Sequence, residues 1–91
     1  MAEFRLRSLA DADVSESWRY TRATWAEQQA DRYVDALFDA MQDLADDKKR
    51  GRAADDIAPG LRRQRCGSHI IFYKNEPYGA DIVRVLHASM N

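Results

Sequence analysis

The side chains of this chain that could carry out chemistry are concentrated toward its C-terminal end. They are guanidinium, thiol and imidazole groups, and in chain order they are Arg62, Arg63, Arg65, Cys66, His69, Arg84 and His87. Guanidinium groups bind phosphates and carboxylates, whereas cysteine and histidine serve as metal ligands or as nucleophile and base. These residue types admit a metal centre, a thiol nucleophile, an RNA-cleaving site or a charged binding surface.

The spacing of Cys66 and His69 argues against a metal centre. Zinc sites recruit three or four protein ligands, usually from closely spaced pairs. Cys66 and His69 instead flank Gly67-Ser68, a dipeptide typical of a two-residue hairpin turn, so they are predicted to face each other across two strands. Cross-strand pairing explains the spacing by itself, and the sequence predicts neither a metal nor another cofactor.

The two catalytic interpretations are each incomplete. A thiol nucleophile needs an oxyanion site, and no pattern around Cys66 supplies one. Metal-free RNA cleavage needs an acid, a base and cations that stabilise the phosphorane. Arg65 and Arg84 could supply the cations and His87 one acid–base group, but residues 88–91 contain no second one. The residues therefore predict no catalytic set, and a nuclease built on Arg65, Arg84 and His87 is the alternative.

Charge is sorted along the chain although the net charge is −1. Residues 1–47 carry five basic and eleven acidic side chains, whereas residues 48–65 carry seven basic and two acidic ones. Such segregation produces a directional field that can steer a charged partner. A binding surface is therefore the preferred interpretation, with contacts predicted at Arg62, Arg63, Arg65, Arg84 and His87.

Hydrophobic periodicity predicts the elements that position these side chains. They are a strand over residues 3–7, helices over roughly 10–23 and 25–46, a loop over 46–60, and strands over 61–66, 69–74 and 81–87. This order predicts an α+β fold, in which an N-terminal strand and an antiparallel helical hairpin precede a three-stranded antiparallel meander. The length predicts a single domain spanning residues 1–91.

Local patterns refine the helices. Ser8-Leu-Ala-Asp11 and Thr24-Trp-Ala-Glu27 have the form of capping boxes, so each is predicted to begin a helix. Trp18 and Trp25 fall on the apolar stripe of the first helix and are predicted to lie in the core.

Local patterns in the strands divide the arginines between two faces. Alternation places Arg63 and Arg65 on one face and Arg62 on the other. The run Ile70-Ile-Phe-Tyr73 is apolar at both parities, which is typical of a central strand and assigns neither face to the helices.

Composition bears on the cellular setting. No apolar run approaches the roughly 20 residues of a membrane helix, and the first residues lack the apolar segment of a signal peptide. Cys66 is the single cysteine and cannot form an internal disulfide. We therefore expect a cytoplasmic protein with no membrane partner.

An ordered series of short motifs resembles a known family. The motifs are Tyr20-Thr21, Trp25, Gln29-Ala30, Tyr33, Gly51-Arg52, Asp56-Ile57, Gly60-Leu61-Arg62, Gly67-Ser68-His69-x-Ile71-Phe72-Tyr73 and Arg84-Val85-Leu86-His87-x-x-Met90. From Phe4 to the C-terminus the chain resembles the ParE-type toxins of bacterial type II toxin–antitoxin modules, within the RelE/ParE superfamily.

The resemblance implies the fold order strand, helix, helix and three strands. It also implies a toxin that inhibits DNA gyrase and is held inactive in a hetero-oligomer by a small ParD-like antitoxin, whose C-terminal segment folds along the toxin. RelE relatives instead cleave messenger RNA on the ribosome, which is the alternative function. In the preferred interpretation Arg62, Arg63, Arg65, Arg84 and His87 are partner contacts, and none is catalytic.

Overall fold

The computed structural model describes residues 2–89, so Met90 of the last motif and Asn91 lie outside the described residues. In chain order the elements are β1 (Glu3–Leu6), α1 (Ser8–Thr24), α2 (Glu27–Ala45), β2 (Arg52–Ala53), β3 (Arg62–Cys66), β4 (His69–Glu76) and β5 (Gly79–His87). The predicted order is confirmed, with β2 as an additional strand. Neither helix in the described part of the chain is long and apolar enough to cross a membrane.

All strands join one five-stranded sheet in the order β1-β5-β4-β3-β2. Strands β3, β4 and β5 pair antiparallel in sequence, as the predicted meander requires. The N-terminal strand β1 pairs parallel with β5, which places Glu3 opposite Gly79 and Leu6 opposite Ile82. The first and last strands of the described chain are therefore neighbours.

Strand β2 lies inside the segment predicted to be a loop. It pairs with β3 through Arg52 and Ala53 only. Neighbouring backbone is fixed by the Gly51 amide, which donates a 2.7 Å hydrogen bond to the buried hydroxyl of Tyr73. Tertiary pairing rather than local alternation creates this strand, which is why the sequence pattern predicted only a loop.

The predicted capping boxes are wrong. The residue before α1 is Arg7 and the residue before α2 is Ala26, and neither makes a side-chain capping hydrogen bond. Ser8 is already the first helical residue of α1, and Thr24 is its last. Glu27 at the start of α2 places negative charge where the helix dipole favours it.

The helices cover the sheet face that carries Ile71 and Tyr73, which are almost completely buried. The core cluster comprises Ala10, Val14, Leu37, Ala40, Met41, Leu44, Ala45, Ile71, Tyr73, Ala80, Ile82 and Val85. Ile70 and Phe72 lie at the opposite parity of β4 and are half-buried on the face without helices. The apolar run of β4 does not indicate which sheet face the helices cover, and the structure shows that it is the face of Ile71 and Tyr73.

Neither tryptophan belongs to the buried core, contrary to the prediction. Trp25 is 73% exposed, and Trp18 is half-buried with its indole N–H donating a 2.9 Å hydrogen bond to Asp31 of α2. The buried side of α1 contains Ser17 where the predicted stripe had Trp18. At 100° per residue, the mean direction of the buried residues Ala10, Val14, Ser17 and Thr21 differs by about 40° from that of the predicted stripe Val14, Trp18, Thr21 and Trp25. Small side chains therefore face the sheet, and the indoles lie at the margin.

Gly79 sets the approach of β1 to β5 and provides a test of the fold. Its φ is 140°, and an added Cβ would meet the main chain of Glu3. Gly60 has a φ of 76° with open space around it, so Gly60→Ala is expected to lower the free energy of unfolding by only about 1 kcal/mol. Gly79→Ala should lower it substantially more in urea unfolding. Equal losses would contradict this close pairing of β1 with β5.

Candidate functional site

The predicted contact arginines of β3 are divided between the two faces of the sheet. Exposure alternates along β3, where Arg63 and Arg65 are exposed and Arg62 is half-buried. The guanidinium of Arg62 donates a hydrogen bond to the carbonyl oxygen of Gly51. The predicted separation of Arg63 and Arg65 from Arg62 is confirmed.

Strand register aligns charged and apolar side chains across the uncovered face. Two rows cross it with about 4.8 Å between strands, the first formed by Arg52, Arg63, Phe72 and Arg84 and the second by Arg65, Ile70 and Leu86. We call these residues the arginine face. A groove of about 440 Å³ at its β2–β3 end is lined by Arg50, Arg52, Arg63, Gln64, Arg65 and Ile70, a lining without any carboxylate.

Several guanidinium groups on this face carry no compensating charge. Arg52 and Arg63 stand directly opposite each other, and within residues 2–89 neither side chain has a hydrogen-bond or ion-pair partner. Arg65 donates a 2.8 Å hydrogen bond to the carbonyl oxygen of Gly67, which is uncharged. Like charges directly opposite on neighbouring strands repel. The face is therefore able to accept an anion.

Arg84, in contrast, is paired with Asp13 of α1. Its Nε and a terminal nitrogen donate hydrogen bonds of 2.7 and 2.9 Å to the two carboxylate oxygens. The amide of Val85 donates a further 2.9 Å bond to Asp13. Burial raises the pKa of Asp13, but these hydrogen bonds and the charge of Arg84 outweigh burial, so its pKa lies below the ordinary value. This carboxylate joins α1 to the edge of β5.

A second cleft, of about 360 Å³, lies between α1 and the C-terminal end of β5. We call it the histidine cleft, and its lining includes Asp13, Ser17, Tyr20, His69, Val85, Leu86 and His87. His69 and His87 are register partners whose rings lie edge to face at 5.2 Å. Ser17 is 5% exposed, and its hydroxyl oxygen has no hydrogen-bond partner in the described part of the chain.

The structure does not assemble the alternative nuclease set. Arg65 is exposed on the arginine face, whereas His87 lies beside His69 on the face that the helices cover. Arg84 is occupied by Asp13. The three side chains therefore do not point at one shared position.

Tyr33 of α2 holds His69 under the turn between β3 and β4. The Tyr33 hydroxyl and His69 Nδ1 lie 2.5 Å apart, and the Ser68 amide donates to the same hydroxyl at 3.0 Å. Because that hydroxyl accepts from Ser68, it can donate its own proton to a neutral His69. Burial lowers the pKa of His69, and the nearby His87 lowers it further, against an opposing effect of Asp13.

Cys66 faces His69 in the strand register, as predicted from the turn. Its thiol donates a 3.7 Å hydrogen bond to the carbonyl oxygen of Ala36. Burial raises the pKa of the Cys66 thiol, which disfavours the thiolate that nucleophilic chemistry requires. Within residues 2–89 no group of three His, Cys, Asp or Glu side chains is arranged to hold a metal ion.

Sequence reasoning missed four side chains of these two sites. The sequence pattern predicts a loop at Arg52 and shows Phe72 only as part of an apolar run, although alternation along β4 is compatible with a position beside Arg63. The sequence does not predict the contact of Asp13 with Arg84 or that of Tyr33 with His69, because the partners are distant in the chain.

Replacement of Asp13 tests its link to β5. Asp13→Ala is expected to lower the free energy of unfolding by about 1–3 kcal/mol, because the amide of the buried Val85 loses its acceptor. Asp13→Asn keeps a side-chain acceptor and should lose less in the same urea titration. Equal losses in the two variants would show that the carboxylate charge, and not the acceptor, is what matters.

His69 should make stability depend on pH near neutrality. Its pKa in the folded protein lies below the ordinary 6.5, so the unfolded chain takes up the proton first on acidification. The stabilisation by neutral His69 is therefore present above about pH 6.5 and is lost as the pH falls toward the folded pKa. Thermal melts between about pH 7.5 and 5.5 should show this loss, and His69→Gln should flatten it. An unchanged slope in His69→Gln would assign the titration to another group.

Comparison with known proteins agrees with this geometry. The profile of the family described as "ParE toxin of type II toxin-antitoxin system, parDE" matches residues 4–91. Toxin ParE1 of Mycobacterium tuberculosis is 37% identical over 91 residues, covering 99% of this chain and 93% of that protein. Toxin ParE1 of Caulobacter vibrioides is 34% identical over 91 residues, covering 100% of this chain and 94% of that protein.

A solved structure shares the fold. A chain of the structure titled "Chromosomal ParDE TA system from P. aeruginosa" superposes with a TM-score of 0.79 at 15% identity, covering 96% of each chain. Together with the profile match along nearly the whole length, the relatives above 30% identity assign the family: this chain belongs to the ParE toxins of type II toxin–antitoxin systems.

Proposed function

We propose that this ParE toxin inhibits DNA gyrase in the cytoplasm and is neutralised by binding a cognate ParD-like antitoxin. The single observation that carries the proposal is the uncovered arginine face, whose unpaired guanidiniums suit an anionic partner, in a chain of the ParE family. In this proposal the protein acts by binding and does not catalyse a reaction.

The disposition of the polar side chains supports binding over catalysis. Arg65, Arg84 and His87 belong to two different faces, so an RNA phosphate held by Arg65 would have no acid–base group beside it. Cys66 is half-buried with a raised thiol pKa, which disfavours a nucleophile. A RelE-like messenger RNA nuclease remains the second candidate, supported only by the presence of these side chains in the chain.

The antitoxin is proposed to run from the histidine cleft onto the arginine face. Leu86 borders both regions, so they form one continuous surface around the edge of β5. The outer edge of β5 pairs with β1 only from Gly79 to Ile82. Beyond Ile82 the Val85 amide already donates to Asp13, so an extended segment would pair there with the remaining main-chain groups. Such a segment can order on binding through main-chain and apolar contacts.

Polar contacts would fix this segment in place. Acidic side chains of the antitoxin would pair with Arg63 and Arg65, and the unsatisfied hydroxyl of Ser17 would receive a polar group in the cleft. His87 lines the same cleft, whereas Arg62 and Arg84 already have partners within the toxin and would contribute less. The resulting assembly is a toxin–antitoxin hetero-oligomer.

Purified components test the function. The toxin should block supercoiling by gyrase, because it is proposed to bind that enzyme, and leave messenger RNA intact in a translation reaction. The protein encoded by the neighbouring open reading frame should restore supercoiling when added in equimolar amount.

A matched pair of variants connects the inhibition to the arginine face. Arg63→Ala/Arg65→Ala should weaken inhibition by about tenfold or more, as expected for two lost charge-assisted contacts. Arg19→Ala/Arg32→Ala removes the same charge from exposed positions on the helices and should inhibit as the unmodified toxin does. Intact supercoiling together with cleaved messenger RNA would reject gyrase inhibition in favour of the nuclease.

A further inference from the structure

We propose that the arginine face binds single-stranded DNA, with phosphates on Arg52, Arg63 and Arg65 and a base stacked on Phe72. This inference deepens the proposed function, since it names what the toxin contacts beside gyrase, and it rests on that function only for its cellular role. The binding itself is a property of the purified toxin and can be measured without gyrase.

The spacing of the cations fits a nucleic-acid backbone. Arg52 and Arg63 are neighbours across β2 and β3, and Arg65 lies two residues beyond Arg63 on the same face, at about 6.6 Å along the strand. No carboxylate is found among the described residues that line the groove, so the mutual repulsion of these guanidinium groups is not relieved there. A chain of phosphates would relieve it at each position, because every nucleotide brings one negative charge.

The ring of Phe72 lies beside one of these cations, Arg63. Phe72 is half-buried in the central strand β4, with Arg63 beside it on β3 and Arg84 beside it on β5. Ile70 and Leu86 extend the apolar strip in the next row. Flat sheets that combine exposed aromatic rings with arginines bind unpaired bases by stacking. Double-stranded DNA keeps its bases stacked on each other, so the ring favours a single strand.

The acidic side chains of α2 disfavour binding of a polyanion to the helices. Acidic side chains occur at every fourth position of α2, at Glu27, Asp31, Asp35, Asp39 and Asp43. The net charge of the protein is −1, so attraction for a polyanion depends on a local basic surface. This charge distribution favours approach of a nucleic acid to the arginine face, with the acidic helix directed away from it.

Fluorescence anisotropy with a labelled oligothymidine of about 12 nucleotides tests the proposal. The toxin should bind this strand more tightly than a duplex of the same length, and an oligouridine strand of the same length serves as the RNA comparison. With about three phosphate contacts, raising the salt from about 50 to 200 mM should weaken binding about 20-fold.

Variants separate the contributions of charge and stacking. Arg52→Ala/Arg63→Ala should weaken binding at least tenfold, whereas Arg19→Ala/Arg32→Ala, which removes equal charge from the helices, should change it less than twofold. Phe72→Leu keeps an apolar side chain at this position and should weaken binding about 5- to 100-fold through lost stacking. Circular dichroism of each variant confirms that the fold is retained.

Several results would overturn the inference. They are no binding at about 50 mM salt, equal weakening in the two double-arginine variants, or a duplex bound as tightly as the single strand. Tighter binding of the oligouridine would reassign the face to RNA, and an acidic antitoxin peptide bound there without any DNA affinity would reassign it to protein. Gyrase inhibition by a toxin that does not bind DNA would reject this inference and leave the proposed function intact. DNA binding by a toxin that does not inhibit gyrase would reject the proposed function and leave this inference intact.

Discussion

Helices α1 and α2 pack on one face of the sheet and leave the other uncovered, so alternation along each strand sorts side chains into two environments. Ile71 and Tyr73 point into the core, while Ile70 and Phe72 point away from it. The same alternation exposes Arg63 and Arg65 and turns Arg62 inward. Both the stability of the protein and the chemistry of its surface depend on this one-sided packing.

Small side chains make that packing possible. Ala10, Val14 and Ser17 of α1 approach β5 closely enough for Asp13 to reach the main chain of Val85. A bulky residue in their place would push the helix away and break the carboxylate contact. The two tryptophans consequently lie at the margin, where Trp18 can still bond to Asp31 and join the two helices.

Patterns that act over a few residues were readable from the sequence. The Gly67-Ser68 turn fixed the pairing of Cys66 with His69, and helical periodicity located both helices within a few residues of their ends. Contacts between distant segments were not readable. Asp13 and Arg84 are 71 positions apart in the chain, and Tyr33 and His69 are 36 apart. Hydrophobic periodicity within a single helix or strand therefore cannot predict either contact.

The candidate site also combines features that are visible locally in the sequence with features that depend on contacts between distant segments. Its arginines were identified from charge alone, because a cluster of like charges is visible in any sequence. The position of Arg52 beside Arg63 required β2, a two-residue strand that exists only through pairing with β3. The position of Phe72 between Arg63 and Arg84 depends on the strand register, which the sequence pattern does not specify.

The parallel pairing of β1 with β5 has a kinetic consequence. Glu3 and Gly79 meet across nearly the whole chain, whereas Cys66 and His69 meet across a two-residue turn. Closing the larger loop costs about 3 kcal/mol more in chain entropy, so the N-terminal strand is expected to dock after the meander has formed. The strand that joins last in folding is also the one that detaches first in partial opening. Reversible fraying of β1 would then lengthen the free edge of β5, and an extended partner segment could occupy it by strand exchange.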